Sequence, residues 1–168
     1  MRRYESGFTL IELLIVVCII GVIAAVAIPS LLRARVGANE SAVVGDLRTV
    51  VSAEEAYRAV NGAYGVMNCL SRPSECLPNY SAGPTFLNPE LTALGVKAGY
   101  ERVASYVDLD PPRAGSARAY CVQARPVTPS QTGLRSFGVD PSGLYAAVGD
   151  VDCCRRGAID RNACKRLQ

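Results

Sequence analysis

The sequence has 168 residues, of which 49% are hydrophobic and 20% charged, and these values predict one globular domain of ordinary size. It contains no His and no Trp, which excludes His-dependent acid–base catalysis, His-containing nucleophile pairs and His-ligated metals. The net charge of +3 is spread along the chain without a basic block, which argues against strong electrostatic binding to nucleic acid.

The amino-terminal segment is far more apolar than the rest of the chain. A short polar leader carries Arg2 and Arg3, and the stretch Phe8–Ile28 that follows contains a single charged residue, Glu12. As a helix, this stretch would be about 30 Å long, which is enough to cross the hydrocarbon core of a bilayer. The span ends near Pro29.

Three interpretations of this segment differ in how they treat Glu12. A secretory signal peptide cut after Ala27 would have a shorter apolar region without an acid. A plain membrane anchor leaves a carboxylate in lipid, at a cost of about 3 kcal/mol at mid-span, with no partner in its own segment. Cleavage between Gly7 and Phe8 would instead create an ammonium group that could pair with Glu12 of another copy.

The sequence GFTLIE at residues 7–12, followed by a long apolar run, resembles the class III signal of type IV pilins and type II secretion pseudopilins. The resemblance implies that a prepilin peptidase cleaves after Gly7 and that the new amino-terminal Phe8 is N-methylated. It implies that Glu12 is the assembly residue, which attracts the amine of Phe8 on another subunit. It also implies a helix break at Pro29.

Beyond Pro29 the pattern becomes amphipathic. Apolar residues recur at helical spacing and predict one helix from Phe8 to Val60, ended by Asn61 and Gly62. The predicted buried stripe comprises Val36, Val43, Leu47, Val50, Tyr57 and Val60. The charged residues, including Glu40 and Glu54, are predicted on the other sides of the helix.

The remainder predicts a small antiparallel sheet. Residues 61–99 are rich in Gly and Pro and predict a long irregular connection, with one short helical turn at 88–95. Residues 102–109 and 117–124 predict two strands, and 137–139 and 144–148 predict a hairpin around a turn at 140–143. We therefore expect three or four strands with one face against the helix.

This order of elements also resembles a type IV pilin and implies an α+β fold, with a long amino-terminal helix packed on a small sheet that has disulfide-stapled loops and tail. The expected domains are a leader (1–7), an apolar half-helix (8–32) and a globular domain (33–168). The globular domain divides into helix 33–60, loop 61–99, sheet 100–149 and a Cys-rich tail 150–168.

The chain has seven cysteines, and their positions indicate the redox state of the compartment in which the protein lies. Cys18 lies in the apolar span, where we expect a small buried hydrophobic residue. The other six, an even number in a small polar domain, predict disulfides and an oxidising compartment. Sequence alone leaves their pairing open. We favour Cys69 with Cys76, and Cys121 and Cys164 each with one of the adjacent pair Cys153 and Cys154. A thiol redox site or a zinc cluster is disfavoured because no C-x-x-C motif is present.

Four acidic residues near the predicted turns, Asp140, Asp150, Asp152 and Asp160, raise a calcium hypothesis, because related pseudopilins can bind calcium in this region. Their spacing matches no EF-hand loop. We expect solvated turn residues, no metal site and no cofactor.

The resemblance implies a non-enzymatic structural subunit of a type IV pilus, and it is greatest to the major pilins of bacteria. Such a subunit has one membrane span in the inner membrane before assembly and lies in an extracellular filament afterwards. Its partners would be other copies of itself, the prepilin peptidase, and the inner-membrane assembly platform with its ATPase. A role in DNA uptake stays open alongside motility and adhesion. The alternatives are a pseudopilin in a periplasmic pseudopilus and a low-copy minor pilin that binds a ligand.

Overall fold

The computed structural model describes residues 7–77, 80, 83–110 and 112–167. The polar leader with Arg2 and Arg3 lies outside the described residues. The chain divides into two compact units at the junction between Arg35 and Val36. Each unit contains part of one long helix, α1, which runs from Leu10 to Asn61.

The described residues of the second unit contain two short helices, nine strands and one 3₁₀ turn. The helices are Met67–Ser71 (α2) and Pro89–Thr92 (α3), and the 3₁₀ turn is Pro73–Glu75. The strands are Tyr64–Gly65 (β1), Val96–Lys97 (β2), Tyr100–Asp108 (β3), Ser116–Pro126 (β4), Arg135–Asp140 (β5), Gly143–Val148 (β6), Cys154–Arg155 (β7), Ala158–Ile159 (β8) and Lys165–Arg166 (β9).

Seven strands form one antiparallel sheet. Their order is β2-β3-β4-β5-β6-β9, and β1 pairs with one end of β4. The four long strands β3 to β6 correspond to the predicted strands, so the antiparallel sheet is confirmed. The prediction missed β1, β2 and β9, because a strand of two residues is too short to show an alternating pattern.

Both faces of the sheet are covered, because successive large side chains of β4 point to opposite faces and each face packs against another layer. Tyr120 and Val122 of β4 belong to the main core together with Leu47 and Tyr57 of α1. Cys121, between them on β4, points to the opposite face, where a second cluster contains Tyr145, Cys153, Ile159 and Cys164. The second unit therefore has three layers: the carboxyl-terminal half of α1, the sheet, and the tail.

The predicted hairpin turn is present between β5 and β6. Asp140 pairs with Gly143 across the turn, and the Asp140 carboxylate accepts a hydrogen bond from the Ser142 backbone N–H at 2.8 Å. Gly143 has φ of 136°, a conformation that favours glycine.

Two predictions about the stripe on α1 are wrong. Val60 is 59% exposed, because Asn61 takes the sheet-facing position four residues after Tyr57 and donates to Ser116 Oγ at 3.0 Å. The predicted polar residues Glu40 and Glu54 are instead buried, at 7% and 0% exposure. Both lie in phase with the stripe, at steps of three or four residues from its apolar members.

Candidate functional site

The amino-terminal end of α1 is closed by a capping box. Thr9 lies just before the first helical residue, and its Oγ1 accepts a hydrogen bond from the Glu12 backbone N–H at 3.2 Å. In return, Glu12 Oε2 accepts from the Thr9 backbone N–H at 3.0 Å and from its hydroxyl at 2.8 Å. This reciprocal arrangement satisfies orphan donors of the first helical turn, where a negative charge is also favourable.

This geometry corrects one step of the sequence argument, which gave Glu12 no partner in its own segment. Thr9 is that partner. The three-residue spacing from Thr9 to Glu12 is typical of a capping box and would have predicted this contact. Both bonds from Thr9 end on Oε2, and within the described residues no hydrogen bond reaches Oε1. One carboxylate oxygen of Glu12 therefore stays open to a further donor.

The predicted cleavage position lies next to this cap. Gly7 and Phe8 precede the first turn and adopt no regular secondary structure. Phe8 is 84% exposed, and a Cβ added at Gly7 would meet no atom within 4 Å. An exposed peptide without regular secondary structure can enter the active site of a peptidase.

The side chains of the apolar half of α1 are exposed. α1 contains a window long and apolar enough to cross a membrane, and none of that window is buried. Large hydrophobic side chains are exposed all around it, from Leu10, which is 82% exposed, to Leu32, at 58%. A helix that is apolar on every side requires lipid or other protein around it.

Two residues of this segment differ from expectation in the isolated chain. Cys18 is exposed rather than buried, because every neighbouring side chain of its helix is also bare. α1 continues through Pro29, so the predicted helix break is absent here, and opening at Pro29 stays a prediction for the assembled state.

The six other cysteines form three disulfides. Cys69 pairs with Cys76, Cys121 with Cys154, and Cys153 with Cys164. The first staples the loop around α2, the second fastens the tail to β4, and the third closes a loop within the tail. The adjacent cysteines thus bond to two different parts of the chain.

Glu40 is a buried acid that forms an ion pair with the half-exposed Arg135, which the sequence analysis missed. Its Oε2 accepts from Arg135 Nη2 at 2.7 Å and from Nε at 3.0 Å. Its Oε1 accepts from the backbone N–H groups of Leu134 and Arg135 at 2.9 and 3.1 Å. One carboxylate therefore ties α1 to the start of β5 with four bonds. The sequence signal for this contact was the position of Glu40, which lies on the same helix face as the apolar stripe.

Glu54 is the most deeply buried acid among the described residues. Its Oε2 accepts from the Gly65 backbone N–H at 2.9 Å, whereas Oε1 has no hydrogen-bond partner there. Burial raises the pKa of Glu54 to about 8, an effect that the Gly65 hydrogen bond only partly offsets. The carboxylate in turn raises the pKa of the phenols of half-buried Tyr106 and buried Tyr120, although desolvation is the larger cause for both.

The four acids of the calcium hypothesis do not converge. Asp140 is buried and accepts from the backbone N–H of Ile159 at 3.3 Å, so it is not a solvated residue. Asp150 and Asp152 lie 3.7 and 3.1 Å from Arg125, and Asp160 accepts from a backbone N–H in its own turn. Within the described residues, no three His, Cys, Asp or Glu side chains are grouped as metal ligands.

Comparison with known proteins gives matches of limited extent. Residues 2–28 match the family model described as the prokaryotic N-terminal methylation motif. Over 62 residues the chain is 50% identical to the type IV wide pilus major component PilA4 of Thermus thermophilus, covering 37% of this chain and 47% of that protein. No solved structure matches.

Two further relatives represent both branches of the resemblance. The type II secretion system core protein G of Pseudomonas aeruginosa is 38% identical over 63 residues, which cover 38% of this chain and 44% of that protein. The type IV major pilin protein PilA of Myxococcus xanthus is 38% identical over 60 residues, which cover 36% and 27%. The chain thus spans less than half the length of these relatives. The motif, the relatives and the architecture fit the type IV pilin and pseudopilin family.

Proposed function

We propose that this chain is a structural subunit of a type IV pilus. The observation that carries the proposal is the bare apolar half of α1, which begins with a capped carboxylate directly after Gly7 and Phe8. Such a surface is stable in lipid before assembly and against other copies of itself afterwards. The assignment is to a filament subunit and not to an enzyme.

Processing begins in the inner membrane. The prepilin peptidase cleaves between Gly7 and Phe8, and the new amine of Phe8 is N-methylated. The exposure of Phe8 and the open space around Gly7 support access to this bond. Cleavage brings a positive charge to within four residues of the Glu12 carboxylate.

Assembly pairs the open oxygen of Glu12 with the Phe8 ammonium group of another subunit. The capping box holds Glu12 Oε2 on its own helix and so orients Oε1 for an external donor. An ion pair in an apolar surrounding is strong because few competing dipoles are present. Because each helix carries one Glu12 and one Phe8 amine, this pairing would fix the axial position of one helix against the next. Opening at Pro29 would let the helices adjust as they pack.

The globular domain faces an oxidising compartment and then the outside of the filament. Three disulfides in the second unit support this orientation. An inner-membrane platform and its ATPase would extract subunits from the bilayer. The filament would serve motility, adhesion or DNA uptake.

The alternative is a pseudopilin of a type II secretion system, which makes a short periplasmic filament. The likeness to the core protein G of Pseudomonas aeruginosa favours it as the second candidate. A low-copy minor pilin is a third. Filament length and copy number on cells distinguish the three.

The test compares two substitutions of Glu12 in the native cell. Glu12→Val removes both the cap and the charge, whereas Glu12→Gln keeps an acceptor for the Thr9 donors but removes the charge. We expect both variants to insert into the membrane and to be cleaved after Gly7, and neither to form filaments. Normal filaments from Glu12→Gln would show that the cap, not charge pairing, is what assembly requires.

A further inference from the structure

The end of the β5–β6 hairpin opposite its turn leaves an apolar side chain uncovered. Along β6, Leu144 and Ala146 pack against the main core, and Val148 follows them at the same two-residue spacing. Val148 is nevertheless 83% exposed, because its partner across the sheet is Arg135, which pairs with Glu40 instead of covering it. A valine on the core-facing side of the sheet is thus left in water.

Val148 lies in a groove of about 440 Å³. Pro129 and Leu134 also line this groove, and both are exposed, Leu134 at 53%. We call these three residues the apolar groove. Glu40 and Arg135 line it as well, and their ion pair at 2.7 Å leaves no net charge there. Exposed apolar side chains that are collected in one place, rather than scattered, indicate an interaction site.

The apolar groove is fastened to α1 shortly after the apolar half of that helix. Asn39 Nδ2 donates to the Thr132 carbonyl at 2.9 Å, and Glu40 accepts from the Leu134 N–H at 2.9 Å. Asn39 is the seventh residue after Leu32, the last residue of the apolar half-helix. At the rise of a helix this separation is about 11 Å, and a headgroup layer is about 5–8 Å thick. In a membrane-anchored chain the groove is therefore tethered close to the headgroups, where even a weak contact becomes populated.

The charges around the groove suit an anionic lipid surface. An adjoining groove shares Glu40 and Arg135 and is also lined by Arg48. Arg48 is exposed and forms no ion pair with any carboxylate of the described residues. Asp150, the next acid along the chain after the groove, lies 3.7 Å from Arg125. An unpaired cation beside exposed apolar side chains is the combination that binds an anionic membrane surface.

We propose that the apolar groove contacts the headgroup region of the membrane while the subunit waits for assembly. The inference rests on the proposed function, because it requires that the apolar half of α1 lies in a bilayer before filaments form. Pro129, Leu134 and Val148 would lie at the boundary between headgroups and acyl chains, with Arg48 beside the lipid phosphates. The contact would hold the globular domain against the membrane and would be lost when the subunit is extracted.

The composition of the groove favours lipid over a second copy of the chain. Contacts between proteins depend mainly on Trp, Tyr and Arg, whereas Leu and Val are under-represented among the residues that dominate binding. The apolar groove consists of two aliphatic side chains and a proline, and the arginine beside it is already paired with Glu40. Binding to a bilayer instead scales with buried apolar area and attraction to anionic lipid, which this groove and Arg48 supply.

Tryptophan fluorescence of the full chain tests the contact, because the sequence contains no Trp. Val148→Trp places a single reporter in the apolar groove. Val96→Trp is the matched control, since Val96 is 67% exposed on β2 and does not line the groove. Each chain is reconstituted into vesicles of phosphatidylcholine and phosphatidylglycerol in equal parts, with bromine on the upper acyl carbons as the quencher. Leu32→Trp, at the end of the apolar half-helix, gives the reference signal of an inserted side chain.

A second pair of substitutions tests the groove itself. In the Val148→Trp chain, Leu134→Gln removes an apolar side chain from the groove. Leu94→Gln is its matched control, because Leu94 is 43% exposed and lies outside the groove. Three intact disulfides and an unchanged far-ultraviolet circular dichroism spectrum show that each chain is folded.

We expect bromine to lower the emission of Val148→Trp by about half, because interfacial apolar side chains lie about 5–10 Å into the boundary, and to leave Val96→Trp unchanged. Leu134→Gln should remove most of this quenching, and Leu94→Gln should not. Equal quenching of Val148→Trp and Val96→Trp, or no effect of Leu134→Gln, would overturn the inference.

The same reporter distinguishes lipid from a second copy. If Val148→Trp is shielded from aqueous acrylamide in sheared filaments but not in vesicles, the groove belongs to a contact between subunits and the inference is overturned. The proposed function fails separately, if the unmodified chain makes no filaments in its own cell while Val148→Trp is still quenched in vesicles.

Discussion

The buried carboxyl of Glu54 should make the globular domain less stable as the pH rises. Its pKa is raised from 4.5 to about 8 in the folded chain, mainly by burial. Between these values the folded chain holds a proton that the unfolded chain has released, so the free energy of unfolding falls with increasing pH. Below the unfolded pKa the contribution is fully present, and above the folded pKa it is lost.

The magnitude follows from the size of the pKa shift. Each unit of difference corresponds to about 1.4 kcal/mol, so Glu54 would remove up to about 5 kcal/mol of stability between pH 4.5 and pH 8. The substitution Glu54→Gln abolishes the titration and keeps an oxygen that can accept from the Gly65 N–H. The free energy of unfolding of the variant, relative to that of the unmodified chain, should therefore increase steadily over this pH range.

The assay is urea unfolding of the disulfide-intact chain in detergent, followed by near-ultraviolet circular dichroism of its tyrosines at several pH values. The difference in unfolding free energy between the two chains isolates Glu54 from other titrating groups. Glu75→Gln is the matched control, since Glu75 is half-exposed and is not among the charges that shift the pKa of Glu54, so its neutralisation should give a difference that hardly changes with pH. A constant difference between Glu54→Gln and the unmodified chain from pH 5 to pH 8 would refute the reasoning.

Two further substitutions test how the layers are joined. Glu40→Ala should lower the free energy of unfolding by about 2 kcal/mol, because it leaves the Leu134 and Arg135 N–H groups without their acceptor, while the half-exposed Arg135 guanidinium can turn to water. A loss below about 0.5 kcal/mol in urea unfolding would contradict this. Gly157→Ala should destabilise more than Gly62→Ala, since both glycines have positive φ but only a Cβ at Gly157 would overlap β3. Equal losses, each about 1 kcal/mol, would mean that only backbone strain matters.

The features that were predictable from the sequence are those with local signals. α1 follows from a continuous apolar run joined to a stripe of period 3.6, and its observed end at Asn61 agrees with the Asn-Gly stop. The hairpin between β5 and β6 follows from a turn whose Asp140 side chain bonds within two residues.

The buried acids depend on partners that are distant in sequence. Glu40 is held by a residue 95 positions away, and no local pattern names that partner. Glu54 is held by one backbone N–H eleven positions away, which becomes available only because the loop turns back at Gly62. The placement of the tail on the second face of the sheet likewise depends on the disulfide pairing, which the sequence leaves open.

The central claim is that the mature subunit begins at Phe8 and that its apolar helix assembles. The most direct measurement is the intact mass and amino-terminal sequence of the protein isolated from its own cell. The account predicts a chain that starts at N-methylated Phe8 and that is six hydrogens lighter than the fully reduced form, in keeping with three disulfides. A mature chain that starts at Met1 or at Ile28 would contradict it, since neither start creates the ammonium group that Glu12 is proposed to bind.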